Sequence, residues 1–434
     1  MTLGAIKKVA IICAGAAGIC AAKHLAAAGQ EVIIFEMGSK IGGLWVYEND
    51  NGMSPAYKSL HVNSENKVTA YKDFPFKESA PIYPDHSQMV EYLNDYANHF
   101  GITQLIRFKA VVTNVLPDQD QRWRVTLADG TQTLFDAVVV ATGHQGVPKH
   151  PNFRDQFSGE YLHSQAYKVP EPFRDKNILV VGIGNSACDI ASDVCSVAKS
   201  VTVAVRSPVL LMPRMFLGVP TSRVLGKLEK PWMPWIMKRW LRTWISRLAF
   251  GTMEQWGLKT PKTRTHPAGH HLLMGHMIWE RIKAKPGIKN VHKQDVYFED
   301  GSCQKFDVMI AATGYSLSLP FLNTENSPIT HPYLDLFHRV VSPKHKGLYF
   351  VGFFNVSGGG NIRMMDDQAE WVTELIAQKQ GLPNQSVMTK AIQEERDYIQ
   401  KYYPNSERYG LELDPAKYRS ELLKQRLNYK KVLS

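Results

Sequence analysis

The length, composition and charge of the chain exclude several classes of protein. At 434 residues and 44% hydrophobic content, the chain can bury a large core, and its length suits two or three domains. The formal net charge of +11 comes from basic residues dispersed through folded-looking segments, which argues against nucleic-acid binding and favours a surface that attracts polyanionic small molecules. Lys, Arg, Gly or Pro interrupts every apolar run before roughly 20 residues, so the sequence predicts no transmembrane segment.

The first predicted elements form a βαβ unit. Lys8 to Cys13 is a short apolar run rich in β-branched residues, as is typical of a buried parallel strand. A helix of small residues follows over Ala16 to Ala28, and Glu31 to Glu36 has the composition of a second strand. The order strand, helix, strand predicts a parallel pair of strands with the helix packed on one face.

The turn after the first strand carries an incomplete G-x-G-x-x-G motif, in which glycines let the backbone pass close to a pyrophosphate. Cys13 stands at the first position, where glycine usually serves the tight turn, and we expect it to fit only with a negative φ. The alternative is a small-residue helix that merely packs closely on a sheet. Glu36 ends the second strand where a carboxylate can bind a ribose. With the following GGLW segment, the predicted dinucleotide contacts are Cys13, Gly15, Ala17, Gly18, Glu36, Gly43, Leu44 and Trp45.

Further along, Pro84 to Phe100 has apolar positions at helical spacing, and strand character returns at Trp123 to Leu127 and Ala137 to Ala141. A second βαβ unit then begins near Asn177. Its turn has small residues at the motif positions and side chains that can cap the helix or reach a phosphate, namely Gly182, Gly184, Asn185, Ser186 and Ala187.

The second strand of this unit ends in Arg206-Ser207. An Arg at a position where NAD-specific folds carry an acidic residue suits a 2′-phosphate, so we expect NADPH in preference to NADH. The alternative is a solvated cation at a strand end. Two dinucleotide folds in one chain imply that one nucleotide delivers a hydride to a tightly held flavin.

The order of elements predicts an α/β fold with two Rossmann-like, doubly wound parallel-sheet domains, the NADP domain being inserted into the FAD domain. We assign residues 1–166 and 311–434 to the FAD domain and 167–310 to the NADP domain, with a helical insertion at about 208–290. Two further buried strands, VMIAATGY and LYFVGF, are followed by a helix from about Asp367 to Lys379 and a charged tail rich in Tyr.

The segment FSGEYLHSQAY fits the pattern F-x-G-x-x-x-H-x-x-x-Y through Phe157, Gly159, His163 and Tyr167. It resembles the fingerprint of the class B flavoprotein monooxygenases. The neighbouring segments GGLW, ATGH, GIGNSACDIA and ATGY occur in the expected order. The final Tyr, without a following Trp-Pro, is more similar to the flavin-containing monooxygenase branch, of bacterial type, than to the Baeyer–Villiger branch.

The resemblance implies that NADPH reduces FAD and that a C4a-hydroperoxyflavin oxygenates a sulfide or an amine. A Baeyer–Villiger reaction on ketones and a non-catalytic FAD-binding protein stay open as alternatives. The resemblance places Asn63 beside the reactive flavin, and gives His163 either a linking role, which we prefer, or a part in proton transfer. It adds these cofactor contacts: His61, Asn63, Thr142, Gly143, Thr313, Gly314 and Tyr315. Gln368 follows the strand LYFVGF near a helix N-terminus, and this location favours its contact with the flavin ring.

Residues 235–250 form a basic amphipathic helix, for which we prefer a lid packed over the substrate entrance to peripheral contact with a membrane. The histidines between positions 266 and 276 lack a ligand set at fixed spacing, so no metal is expected. The five cysteines are scattered, which fits a reducing cytoplasm. The partners expected are a small-molecule substrate and O2. The oligomeric state, including a homodimer, stays open.

Overall fold

The structure, a computed structural model, describes residues 6–230, 232–356, 360–404 and 409–429. The chain forms two compact units. Unit 1 comprises Met1–Ser54, Asn66–Val147 and Ser316–Ser434, and unit 2 comprises Pro55–Glu65 and Pro148–Tyr315.

The helices in the described ranges are α1 Ala16–Ala27, α2 Asn66–Thr69, α3 His86–His99, α4 Asn185–Val194, α5 Thr221–Leu228, α6 Trp235–Phe250, α7 Leu272–Ile278, α8 Asn361–Ile376, α9 Gln385–Tyr402 and α10 Pro415–Asn428. Among these described helices, none combines the length and the apolar content needed to cross a bilayer.

The strands up to residue 163 are β1 Lys8–Ile12, β2 Glu31–Phe35, β3 Ile106–Arg107, β4 Val112–Pro117, β5 Trp123–Leu127, β6 Gln132–Phe135, β7 Ala137–Val140, β8 Val147–Pro148 and β9 Glu160–His163. Those from 177 to 298 are β10 Asn177–Val181, β11 Ser200–Val205, β12 Leu211–Met212, β13 Met215–Phe216, β14 Val219–Pro220, β15 Ala268–Gly269, β16 Ile282–Pro286, β17 Ile288–His292 and β18 Asp295–Phe298. The remaining strands are β19 Cys303–Lys305, β20 Val308–Ala311, β21 Tyr315–Ser316, β22 Ile329–Thr330, β23 Tyr333–Leu334, β24 Leu348–Phe350, β25 Asn355–Val356 and β26 Glu412–Leu413.

Unit 1 is built on a parallel five-stranded sheet in the order β24-β7-β1-β2-β3. Every residue of β7 is buried, which is why this strand has a continuous apolar sequence rather than an alternating one. The chain leaves β1 toward β2 on one side and returns to β7 on the other. The carboxyl end of β1 therefore lies at the point where the strand order reverses, which is where open α/β sheets bind their ligands.

Unit 2 repeats this plan with the parallel sheet β16-β11-β10-β20-β9. Strand β10 takes the place of β1, with β11 on one side and β20 on the other. Each unit also carries a three-stranded antiparallel sheet, β4-β5-β6 in unit 1 and β17-β18-β19 in unit 2. The structure confirms the predicted α/β class with two Rossmann-like sheets.

The boundaries differ from those predicted in four places. Residues 148–166 lie in unit 2 because β9 pairs in parallel with β20. Residues 311–315, which begin at the last residue of β20, also lie in unit 2. Residues 55–65 also belong to unit 2. The insertion ends before Ile282, because β16 is an edge strand of the sheet and pairs with β11.

The predicted C-terminal helix also begins earlier, at Asn361. Its N-cap is Gly360, and residues 357–359 lie outside the described residues. Much of the tail is helical, since α9 and α10 follow α8.

Candidate functional site

The turn between β1 and α1 in unit 1 has the geometry of an anion-binding helix start. Gly15 is the extended N-cap of α1, and no side chain in the described ranges caps this helix. Its first backbone N–H groups and its positive dipole end are therefore available to a phosphate. At Gly18 an added Cβ would lie 1.9 Å from the carbonyl oxygen of Cys13, so only glycine fits there.

Cys13 adopts a conformation that the sequence analysis did not expect. Its φ is +89°, so the expectation of a negative φ is wrong. The turn still requires the backbone shape that the usual glycine supplies, and a side chain there is strained. Desolvation and the nearby Glu36 carboxylate raise the pKa of the Cys13 thiol well above its ordinary value, which disfavours the reactive thiolate.

We expect Cys13→Gly to retain or tighten FAD binding and to raise the free energy of unfolding by about 1 kcal/mol. The positive φ costs an L-residue about 1–2 kcal/mol, of which the greater freedom of unfolded glycine offsets a part. Thermal unfolding and FAD titration of the apoprotein measure both effects. Cys303→Ala, at an exposed cysteine, is the control for thiol loss. Clear loss of flavin from Cys13→Gly would show instead that the thiol is needed.

Glu36 links the loops around the turn. Its carboxylate accepts hydrogen bonds from the backbone N of Ala14 at 2.7 Å and of Gly38 at 2.8 Å, and its side chain is buried. A carboxylate can accept about four hydrogen bonds, so Glu36 keeps acceptor capacity for a hydroxyl of a ribose.

The GGLW segment lies against the same turn. Gly42 has φ +134° and donates its N–H to the carbonyl oxygen of Ala14 at 3.2 Å. An added Cβ on Gly43 would lie 3.1 Å from the Cα of Gly15, so the two backbones are in close approach. The short 3-10 helix Gly43–Trp45 then leaves Leu44 exposed and Trp45 half-buried at this edge.

The strands beside β1 bring further residues to this edge. Thr142 and Gly143 follow β7, and the buried Thr142 hydroxyl has no hydrogen-bond partner among the residues described. Gly352 follows β24 with φ +87°, and an added Cβ would lie 3.2 Å from the Cβ of Ala17. Gly352 was not among the predicted contacts, although a glycine just after a buried strand is a usable signal. The Thr142 hydroxyl without a partner and the backbone approach at Gly352 therefore fit a dinucleotide at the carboxyl end of β1.

Gln368 has a different role from the flavin contact predicted for it. Its side chain is fully buried, with Oε1 accepting from Gly352 N at 2.9 Å and Nε2 donating to the Tyr418 hydroxyl at 2.8 Å. Both ends of the amide are therefore engaged within the protein. Gln368 supports the Gly352 turn rather than presenting a group to a ligand.

The corresponding turn of unit 2 lies between β10 and α4. Gly182 has φ +119°, and an added Cβ would lie 2.6 Å from the carbonyl oxygen of Ala312. Gly184 is the extended N-cap of α4, again without a side-chain cap in the described part of the chain. Asn185 does not cap the helix, because its Oδ1 accepts from Gly269 N at 3.2 Å.

The remaining predicted contacts of this turn are placed as follows. Ser186 is half-buried in the first turn of α4, and Ala187 is buried. Arg206 and Ser207 are exposed directly after β11, the strand beside β10. They lie at the carboxyl edge of the sheet, as a contact to a 2′-phosphate requires.

His163, at the end of β9, is buried and engaged at both ring nitrogens. Nε2 lies 3.0 Å from the carbonyl oxygen of Gly314, and Nδ1 lies 3.2 Å from the backbone N of Gln165, which donates to it. Burial lowers its pKa to about 4, so the ring is neutral at physiological pH. Tyr315 packs edge-on against it at 5.3 Å between ring centroids. Thr313, nearby, donates to the carbonyl oxygen of Lys149 at 2.5 Å.

Asn63 and His61 lie in the segment of unit 2 that precedes residue 66, and both are exposed. The Nδ1 of His61 lies 2.8 Å from the carbonyl oxygen of Ser59. The Oδ1 of Asn63 accepts a hydrogen bond from the Arg214 guanidinium at 2.9 Å. Arg214 was not predicted, because nothing in residues 208–214 points to a partner 151 positions earlier.

The one group of possible metal ligands in the described ranges is Cys20, His24 and Asp366, whose ligand atoms lie within 4.8 Å of one another. These atoms already form hydrogen bonds, with His24 Nε2 2.6 Å and Cys20 Sγ 3.3 Å from the same carboxylate oxygen. Burial alone would raise the pKa of Asp366, but the bond with His24 lowers it to about 2. The cluster thus joins α1 to α8, and a cation would have to displace these bonds.

Comparison with known proteins identifies the family of the chain. Residues 6–433 match the family described as flavin-binding monooxygenase-like. Flavin-containing monooxygenase 1 of Canis lupus familiaris is 32% identical over 417 residues, which cover 89% of this chain and 76% of the relative.

Two solved structures share the fold. The S-allyl-L-cysteine S-oxygenase of Allium sativum superposes with a TM-score of 0.75 at 24% identity, over 99% of this chain and 90% of that one. A closed structure of cyclohexanone monooxygenase superposes with a TM-score of 0.72 at 17% identity, over 98% of each chain. The chain is an FAD- and NADPH-dependent monooxygenase, and it belongs to the flavin-binding monooxygenase-like family.

Proposed function

We propose that the enzyme inserts one oxygen atom of O2 into a soft nucleophile, a sulfide or an amine. The observation that carries this proposal is the 31–32% identity to flavin-containing monooxygenases over about nine-tenths of the chain. The S-oxygenase named among the structural neighbours has the same reaction type. Cyclohexanone monooxygenase resembles the chain at only 17% identity, so a Baeyer–Villiger reaction is the second candidate.

FAD would be held at the carboxyl edge of the first sheet and NADPH at that of the second. The uncapped N-termini of α1 and α4 would bind the pyrophosphates, and Glu36 would bind a ribose. When bound, the reduced flavin supplies the activation of O2. The protein must position the substrate and exclude water, since reduced oxygen that escapes is lost as hydrogen peroxide.

Two polar residues would serve the reaction in different ways. Asn63 offers an exposed carboxamide, which can donate a hydrogen bond from Nδ2 to the reacting oxygen or to the nicotinamide. His163 would hold the turn at Gly314 and take no part in proton transfer, since its ring is neutral and both its nitrogens are engaged. We therefore assign His163 a structural role.

Product analysis tests the proposed reaction. The purified enzyme is supplied with NADPH, O2 and either methyl phenyl sulfide or cyclohexanone, and sulfoxide, lactone and hydrogen peroxide are measured against NADPH consumed. We expect sulfoxide in near-stoichiometric yield. Lactone without sulfoxide would favour the Baeyer–Villiger reaction. Colourless protein that takes up no FAD would contradict both.

We also propose that α6 contacts the surface of an anionic membrane. Only Ile245 and Ser246 of this helix are buried, which supports this contact over the lid that the sequence favoured. A row at i,i+4 spacing is exposed instead, comprising Ile236 at 62%, Trp240 at 67%, Trp244 at 45% and Leu248 at 58%. Basic residues flank the row at Lys238, Arg239 and Arg247. Aromatic and basic groups on one helix are typical of binding at a lipid interface.

Sedimentation with vesicles measures this contact. We expect the enzyme to sediment with vesicles that contain phosphatidylserine, and Trp240→Ser/Trp244→Ser to reduce the affinity by at least about tenfold, since burial of each side chain contributes roughly 1.5–3 kcal/mol. Leu423→Ser/Leu427→Ser, which removes two exposed leucines from α10, is the matched control. No binding of the unaltered enzyme at low salt would refute the contact.

The five cysteines are all free thiols, which supports a reducing, cytoplasmic environment.

A further inference from the structure

The exposed side chain of Asn63 is held by one strong donor. Arg214, between β12 and β13, places its Nη2 atom 2.9 Å from the Asn63 Oδ1 atom. Among the described residues, no group accepts a hydrogen bond from the Nδ2 atom of Asn63. One end of the carboxamide is therefore fixed by a cation, and the other end is free.

Arg214 is itself fixed by partly buried groups of unit 2. Its Nη2 atom lies 3.4 Å from Asp189 Oδ1, and its Nε atom donates to the carbonyl oxygen of Gly269 at 3.4 Å. Asp189 also accepts from the Tyr57 hydroxyl at 2.6 Å and pairs with His270 Nε2 at 2.9 Å. The guanidinium thus has a charge partner and a defined direction before it reaches Asn63.

The chemistry of the guanidinium decides which way the carboxamide points. The oxygen and nitrogen ends of an Asn side chain are nearly the same size, so the amide can turn over with little steric cost. A guanidinium has donors and no acceptor, so it bonds only to the oxygen. Contact with Arg214 therefore selects the orientation in which Asn63 offers its N–H group outward.

We propose that Arg214 is a positioning residue that orients the Asn63 carboxamide so that Nδ2 donates a hydrogen bond during oxygenation. This inference rests on the proposed role of Asn63. Without Arg214 the amide would present oxygen about as often as nitrogen, and a carbonyl oxygen cannot stabilise the same developing negative charge. Loss of one aligned donor reduces kcat by about 10²–10³-fold in other enzymes, which bounds the effect.

The test compares Arg214→Met, Arg214→Lys, Asn63→Ala and the double variant Asn63→Ala/Arg214→Met in the FAD-loaded enzyme. The measurements are sulfoxide formed per NADPH consumed, hydrogen peroxide released, kcat, the KM for NADPH, and FAD content. We expect Arg214→Met to lower kcat by about 10–100-fold and to divert NADPH into peroxide. The KM for NADPH and the FAD content should change little.

Lys also has donors and no acceptor, so Arg214→Lys should restore part of the coupling, which is the sulfoxide formed per NADPH consumed. Because Arg214 acts through Asn63, the double variant should be no worse than Asn63→Ala. The matched control is Arg223→Met, since Arg223 pairs with Glu65 at 2.5 Å in the same segment without contacting Asn63. This control should lower the melting temperature and leave the coupling intact.

The outcomes separate this inference from the proposed function. Suppose that Asn63→Ala collapses the coupling. Normal coupling in Arg214→Met would then overturn the role of Arg214, and so would a double variant in which the two losses add. Normal coupling in Asn63→Ala would instead overturn the role proposed for Asn63. If Arg214→Met does not fold, the Arg214→Lys variant decides. A folded, FAD-loaded Arg214→Lys enzyme whose coupling is no better than that of Asn63→Ala would contradict selection of the amide orientation by a donor.

Discussion

Gly18→Ala is expected to yield protein without bound FAD. The added Cβ would lie 1.9 Å from the carbonyl oxygen of Cys13 and 3.1 Å from its carbonyl carbon. Both atoms belong to the backbone of the turn, so no flexible side chain can move aside. The turn or the start of α1 has to shift, which costs at least about 1–3 kcal/mol and moves the N–H groups that would bind the pyrophosphate.

The ratio of flavin to protein absorbance and a thermal melt measure this loss. Gly226→Ala is the matched control, because Gly226 lies within α5 and an added Cβ meets no atom within 4 Å. That change should leave FAD bound and stabilise the helix by about 1 kcal/mol. A Gly18→Ala enzyme that keeps its full FAD content would mean that the β1–α1 turn does not bind the dinucleotide.

The parallel strands were predictable because their environment leaves a local trace. A strand buried on both faces is largely apolar, so β1 and β2 agree with the predicted strands to within about one residue. Strand β10 likewise begins at Asn177, where the second unit was predicted to start. The positions of the residues just after such strands could be predicted for the same reason. Glu36 and Arg206 lie at the carboxyl edges of their sheets because the chain turns there.

Backbone conformation and long-range contacts were not predictable in this way. Cys13 has φ +89° although its side chain disfavours it, because the tight turn imposes the angle and the surrounding structure outweighs the local strain. Gln368 was expected to contact the flavin, yet its two bonds depend on Gly352 and on Tyr418, 50 residues away. Pairs of this kind have no period or motif that a single sequence reveals.

The exposed face of α6 shows a similar limit. A helical spacing of apolar residues indicates that one face differs from the other, but it does not say which apolar residues meet the core. Leu241 packs against the core of unit 2 and Ile245 is buried, while the neighbouring Trp240 and Trp244 are exposed. The sequence pattern alone could not separate two adjacent rows on one helix.

Arg206→Gln is expected to remove most of the preference for NADPH over NADH. Arg206 is exposed directly after β11, beside the strand that leads into the Gly182 turn. A hydrogen bond between charged groups contributes about 1.5–3 kcal/mol, and about 1.4 kcal/mol is a factor of ten. The kcat/KM for NADPH should therefore fall about 10- to 100-fold, while the value for NADH, which lacks the 2′-phosphate, should stay nearly constant.

Steady-state NADPH and NADH oxidation at several salt concentrations separates a specific contact from a general attraction. Lys199→Gln removes the same charge just before the opposite end of β11, where no phosphate is expected, and should change neither value. Added salt should weaken NADPH use by the unaltered enzyme more than by Arg206→Gln, because screening acts on the charge pair that the variant has lost. An equal fall for both nucleotides in Arg206→Gln would indicate damage to the shared binding edge and would contradict recognition of the 2′-phosphate by this residue.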